Sequence, residues 1–238
     1  MKHLYLLICV FTLLFISQVN LVLYPQVGIL VTSAMVILLL FLTIYDIFDL
    51  YAEVLFAYLS VIPFLSLFVI SLFIQSLIVR DIFIFASLLI ISELFYSFLP
   101  LKNKLYHLRS FKFIILSLIY AVLFGILAGL YLPHSNLPLF LSALIILLSS
   151  VSEALYFQGL IQNAVCNLIN PITGVIFTII LYGFFHSTTN NEQLIIIILY
   201  GLCGTLLYFF WKNIYLVMIF YLLFQITFYF ISHNILFF

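Results

Sequence analysis

The chain is a succession of apolar runs, each about as long as a bilayer is thick, with breaks too short to fold on their own. A helix needs ~20 apolar residues to cross hydrocarbon. Runs of that kind cover 4–23, 27–45, 54–78, 82–99, 113–132, 139–165, 172–190, 194–210 and 214–235. Between them stand Pro25, the Asp46/Asp49/Glu53 cluster, Arg80-Asp81, Pro100 with a basic loop, Pro133 and Pro138, Asn170-Pro171, Asn190-Asn191-Glu192 and Trp211-Lys212-Asn213. The pattern predicts an all-α, polytopic membrane protein of nine spans, or of eight if the first run, interrupted by Gln18 and Asn20, does not cross. Met-Lys-His ahead of that run looks like a signal sequence, but no small-residue cleavage site follows, and we read a retained span.

Charge supports the same class. Only 6% of the 238 residues are charged, against about 25% in soluble domains, so the chain cannot clothe a water-facing surface. A formal net charge of zero argues against nucleic acid as a partner, and the lipid bilayer is the partner the composition requires. Cys9, Cys166 and Cys203 lie in or beside apolar runs and read as small core residues, not as a disulfide framework or metal cluster.

With nine spans and a cytoplasmic N-terminus, Lys2, Lys102, Lys104, Arg109, Lys112 and Lys212 all fall inside, and Arg80 alone falls outside. That satisfies the positive-inside rule and puts the 101–112 loop in the cytoplasm of a cell-membrane protein. The same loop divides the chain into N-terminal spans, 1–109, and a C-terminal bundle, 110–238, that holds most intramembrane polar residues.

Glu153 stands inside the apolar run Leu139–Leu160. A carboxylate at membrane depth costs ~2.5 kcal/mol or more and marks a functional site by default. At 100° per residue, Ser142, Ser149, Ser152, Glu153, Tyr156 and Asn163 share one face of that helix, a stripe that must meet protein or a watery cavity. The bland account is a packing stripe whose serines bond back to their own helix. The next run carries His186 near its end, in Tyr182-Gly-Phe-Phe-His186. A Glu and a neutral His together can bind and deprotonate one water.

These segments resemble the CPBP family, the CaaX prenyl endopeptidases and bacteriocin-processing or abortive-infection membrane proteins. The family's Glu-Glu-x-x-x-Arg-Gly aligns with Glu153-Ala-Leu-Tyr-Phe-Gln-Gly159, its Phe-x-x-x-His with Tyr182–His186, and its His-x-x-x-Asn with Tyr221-Leu-Leu-Phe-Gln225. The resemblance spans about residues 110–235 and implies that 110–238 forms the family's core bundle. It implies that Glu153 and His186 activate water and that positions 221 and 225 steady the oxyanion. Four positions depart: Ala154 for the second Glu, Gln158 for Arg, Tyr221 for His and Gln225 for Asn. Ala154 and Gln158 remove an ion pair whole, which leaves no orphan charge in lipid. Tyr221 and Gln225 each keep a hydrogen-bond donor, which is what an oxyanion site needs.

The resulting expectation is an intramembrane endopeptidase acting on a membrane-associated or prenylated peptide, with Glu153, His186, Tyr221 and Gln225 as its catalytic set. The alternative is an inactive relative that binds a peptide or confers bacteriocin immunity. A catalytic zinc wants three protein ligands. Glu153 and His186 supply two and Tyr221 is a poor third, so neither metal nor other cofactor is expected. A small transporter is the remaining class, but the repeated halves that transporters favour are missing from the sequence.

Overall fold

Leu139 to Leu168 forms one long rod, and the rest of the described bundle is arranged around it. In the computed structural model the described residues are 76–98, 111–131, 139–186 and 191–235, with scattered positions between 12 and 34. We number their helices α1 (Leu77–Phe98), α2 (Phe111–Tyr131), α3 (Leu139–Glu153), α4 (Asn163–Leu168), α5 (Pro171–Phe185), α6 (Asn191–Trp211) and α7 (Ile214–Ile235). Between α3 and α4 the rod widens into a π-helix over Ala154–Gln162. The acidic cluster and nearly all of the expected spans 4–23, 27–45 and 54–78 and of the 101–112 loop lie outside the described residues.

Leu139–Asn167 and Ile214–Ser232 are long and apolar enough to cross a membrane. Ile115–Leu130, Pro171–Gly183 and Ile195–Trp211 are shorter apolar stretches. Large apolar side chains such as Leu127, Phe140, Ile172 and Phe230 face outward, as they do where lipid replaces water. Glu93 on α1 is exposed as well.

The π-helix is the centre of the packing. It touches α1, α5, α6 and α7, and all nine of its residues are buried. π-Helices are rare, mostly single-turn bulges within α-helices, and are frequent at functional sites. This one begins at the residue after Glu153.

Two tight turns set the helix directions. Ile169 N–H closes the end of the rod on Val165 O at 2.9 Å. Asn170 then caps α5, its Oδ1 accepting the Thr173 N–H at 2.8 Å, with Pro171 in the first helical position, where its missing N–H costs nothing. Between α6 and α7 only Lys212 and Asn213 intervene. Lys212 adopts φ 50°, the left-handed conformation that ends many helices. Its N–H bonds Tyr208 O at 2.8 Å, and its ammonium lies 5.2 Å from the centre of the Tyr208 ring, within cation–π range. Asn213 Oδ1 accepts the Leu216 N–H at 3.3 Å and starts α7.

α2 packs along α7 through Gly125-Ile-Leu-Ala-Gly129, a GxxxG motif that lets two backbones approach closely. The motif stands in the sequence, and the expectation that GxxxG is absent from this chain is wrong. A Cβ at Gly125 would lie 2.7 Å from Phe224 O, and one at Gly129 would lie 2.8 Å from Ile231 Cβ. Gly129→Leu is therefore expected to push α2 off α7, costing ~1–3 kcal/mol or more through overpacking. The outward-facing Leu127→Val should cost little. Thermal unfolding of both variants in one lipid or detergent system checks this; equal midpoints would show that the glycines do not hold the pair.

Candidate active site

Glu153 is the last residue of α3 and only 2% exposed. Its two carboxylate oxygens meet the end of α5. Tyr182 Oη donates to Oε2 at 2.5 Å, and His186 Nε2 lies 3.8 Å from Oε1. Tyr182 and His186 stand one helical turn apart, so both reach toward the rod from one face of α5. The His186 side chain is 18% exposed against 3% for Glu153, and the Nε2 that faces Glu153 is itself buried.

The two residues meet because of where the chain turns. They lie nearly equally far from the Ile169–Asn170 turn, one before it and one after, and an antiparallel hairpin brings such residues to matching depth. Counting rise within each apolar run sets them apart, because the run 139–165 stops short of the rod, which continues to Leu168 before the turn. Aromatic rings fix the hairpin here. Phe157 packs edge-on against Tyr182 and Phe185 with ring centres 4.9 and 5.2 Å apart, and the Tyr182 and His186 rings are 4.7 Å apart.

Tyr221, on α7, lies beside Tyr182 with ring centres 6.4 Å apart. Gln158 Nε2 donates to the Tyr221 hydroxyl at 2.7 Å and also lies 3.4 Å from Thr205 Oγ1. Gln162 Nε2 donates to Thr205 O at 3.0 Å. Two of the four departures from the family pattern, Gln158 and Tyr221, are thus in direct contact. The 100° wheel does not put Gln158 or Gln162 on the polar stripe, yet both are fully buried. The i→i+5 bonding of the π-helix resets the facing of every residue from Ala154 onward.

Gln225 lies one turn beyond Tyr221 and is tied on two sides. Its Oε1 accepts from Ser149 Oγ at 2.7 Å, and its Nε2 donates to Tyr200 Oη at 3.0 Å. The stripe residues Ser142, Ser149, Ser152, Glu153, Tyr156 and Asn163 are all buried. Ser152 bonds back to its own helix, whereas Ser149 also reaches across to α7.

α6 makes room for both tyrosines. A Cβ at Gly201 would collide with the Tyr182 ring, and one at Gly204 with the Tyr221 ring and hydroxyl. The Gly201-Leu-Cys-Gly204 pair reads from sequence as close packing without chemistry; in the structure it seats the two phenols. Sequence reasoning also passes over Tyr182, a further departure beyond those four, which stands where the family motif has Phe. Its hydroxyl in an apolar run, one turn before His186, was the available signal. Among the described residues no group of three His, Cys, Asp or Glu side chains is gathered in reach of one metal ion.

Residues 134–227 match the family described as type II CAAX prenyl endopeptidase Rce1-like. That stretch is similar to the Rce1-like family. The match agrees with the CPBP resemblance carried by Glu153, Gly159 and His186, and the chain is a helical membrane protein. No curated protein and no solved structure matches the chain. The matched stretch begins just before α3 and ends within α7, so Glu153, Tyr182, His186, Tyr221 and Gln225 all fall inside it.

Proposed function

We propose that the Rce1-like domain hydrolyses a peptide bond in a membrane-associated or prenylated peptide. The observation that carries this reading is the 3.8 Å approach of Glu153 Oε1 to His186 Nε2. A water with hydrogen bonds of ~2.8 Å to each sits at the apex above that base. Glu153 takes one proton from this water while His186 holds and orients it. The resulting hydroxide attacks the scissile carbonyl carbon. Tyr221 O–H, with the second N–H of Gln225, stabilises the oxyanion as the carbonyl π bond opens. Collapse breaks the C–N bond, and Glu153 returns its proton to the departing amine. No metal or other cofactor is needed for these steps.

The test is incubation of the full chain in lipid nanodiscs with prenylated and unprenylated peptides in H2¹⁸O. Hydrolysis leaves one ¹⁸O on the new carboxylate, read by mass spectrometry. Intact peptides of both kinds at matched protein levels would overturn the reading. They would favour the second one, a relative that binds a peptide or confers immunity without cutting. The tethering of Gln225 by Ser149 and Tyr200 is the feature that favours that alternative.

The same reading places the chain in the cell membrane with eight or nine spans, 1–109 as N-terminal spans ahead of a core bundle at 110–238. It puts the N-terminus and the 101–112 loop in the cytoplasm, as the positive residues require. Asn103→Cys in a chain otherwise free of cysteine is expected to react with an impermeant thiol reagent only after the membrane is opened. Labelling of intact cells would reverse the orientation.

A further inference from the structure

The π-helix gives Gln158 a contact that no motif comparison assigns. Its amide nitrogen faces the Tyr221 hydroxyl at 2.7 Å and Thr205 Oγ1 at 3.4 Å, and Gln158 and Tyr221 are both fully buried. A phenol oxygen that accepts a hydrogen bond keeps its own proton for another acceptor. With Gln158 on its accepting side and Gly204 leaving no room for the ring to retreat, the Tyr221 O–H is committed to a second direction. The neighbours on the other flanks are rings: Tyr200 with its centre 4.4 Å away and Tyr182 at 6.4 Å. Tyr182 spends its own proton on Glu153, so it does not compete as a donor to Tyr221. Gln162 braces the arrangement by holding the Thr205 carbonyl at 3.0 Å. That contact fixes which end of the Gln162 amide is nitrogen, since a carbonyl only accepts.

We propose that Gln158 is a positioning residue that acts through Tyr221, taking up the accepting side of the phenol so that its proton is delivered to the substrate oxyanion. The assignment rests on the hydrolase reading above. It also accounts for two departures from the family motifs at once: the position that carries Arg in the family has become an uncharged donor, and its partner is the Tyr that stands in place of His.

The experiment is a double-mutant cycle on the full chain in nanodiscs, with ¹⁸O incorporation as the rate. Gln158→Met keeps the length of the side chain and removes the donor; Tyr221→Phe removes the phenol. Tyr221→Phe is expected to lower kcat ~10²–10³-fold. Gln158→Met should lower kcat at least ~10-fold with KM nearly unchanged, and have no further effect in the Tyr221→Phe background, as for residues that act as a unit. Equal losses in both backgrounds, or a loss confined to KM, overturn the assignment. Should Gln158→Met fail to fold, Thr205→Val, which leaves both partners in place and removes one support of the amide, must show the same dependence on Tyr221.

A second readout does not need turnover. The resonance Raman doublet of Tyr221, taken as wild type minus Tyr221→Phe, should change when Gln158 is replaced. Hydrolysis without that change overturns the assignment alone. The change without any wild-type hydrolysis sinks the hydrolase reading and this role with it.

Discussion

Glu153→Gln is expected to abolish peptide hydrolysis while leaving the protein in the membrane at close to its normal level. Gln has the size of Glu and keeps an oxygen that accepts the Tyr182 hydroxyl, so the α3–α5 contact survives. It has no basic oxygen to take a proton from water. Positioned acid–base catalysis contributes ~10²–10⁴ in rate, and in an apolar site with no bulk water to substitute, the loss should reach the upper end. The measurement is ¹⁸O incorporation at matched protein levels. Hydrolysis by Glu153→Gln at the wild-type rate would end the catalytic reading and leave the family likeness standing without its chemistry. A cellular phenotype that persists with Glu153→Gln would point instead to binding.

The same site makes a second demand. His186→Gln should lower kcat ~10²-fold or more, because the 3.8 Å approach to Glu153 is what places the water between the two groups. In the proposed mechanism both residues act on one water, so their losses should not add. The Glu153→Gln/His186→Gln double variant should be no slower than Glu153→Gln alone, as found for catalytic groups that work as a unit. Multiplicative losses would mean that His186 acts elsewhere, for example in packing against Phe185, its neighbour at 4.8 Å.

Helix boundaries were legible where the sequence changes character abruptly. The run 214–235 coincides with α7, and 113–132 is within two residues of α2 at either end, because Lys212-Asn213 and the basic loop interrupt apolar sequence at those points. The run 172–190 overshot, since Ser, Thr and Asn after His186 are only mildly polar and hydropathy does not register the end of α5. The approach of Glu153 to His186 was legible from motif order but not from rise, because depth in a hairpin is counted from its shared turn. The contacts of Tyr182 with Glu153 and of Gln158 with Tyr221 were not legible. Both join helices across the bundle, and the residues involved look unremarkable on their own helices. The π-helix leaves no trace in composition, since Ala154–Gln162 is an ordinary apolar stretch and the difference lies in which backbone carbonyl each N–H selects.

That choice of carbonyl makes chain length across 154–162 a functional quantity. An α-helix turns 100° per residue and the wider i→i+5 turns of a π-helix turn less, so removing one residue while the π bonding persists would swing everything beyond the deletion by about a quarter turn. Gln162 would leave Thr205, and the Ile169–Asn170 turn would send α5 off at a new bearing, taking His186 away from Glu153. A sequence aligned to this one with a single-residue gap in that segment keeps the facing of its site residues only by returning the segment to α bonding. Deleting Leu155 would therefore ask which bonding the segment prefers, and a pair that survives the deletion would mean that the π turns had been traded for α ones.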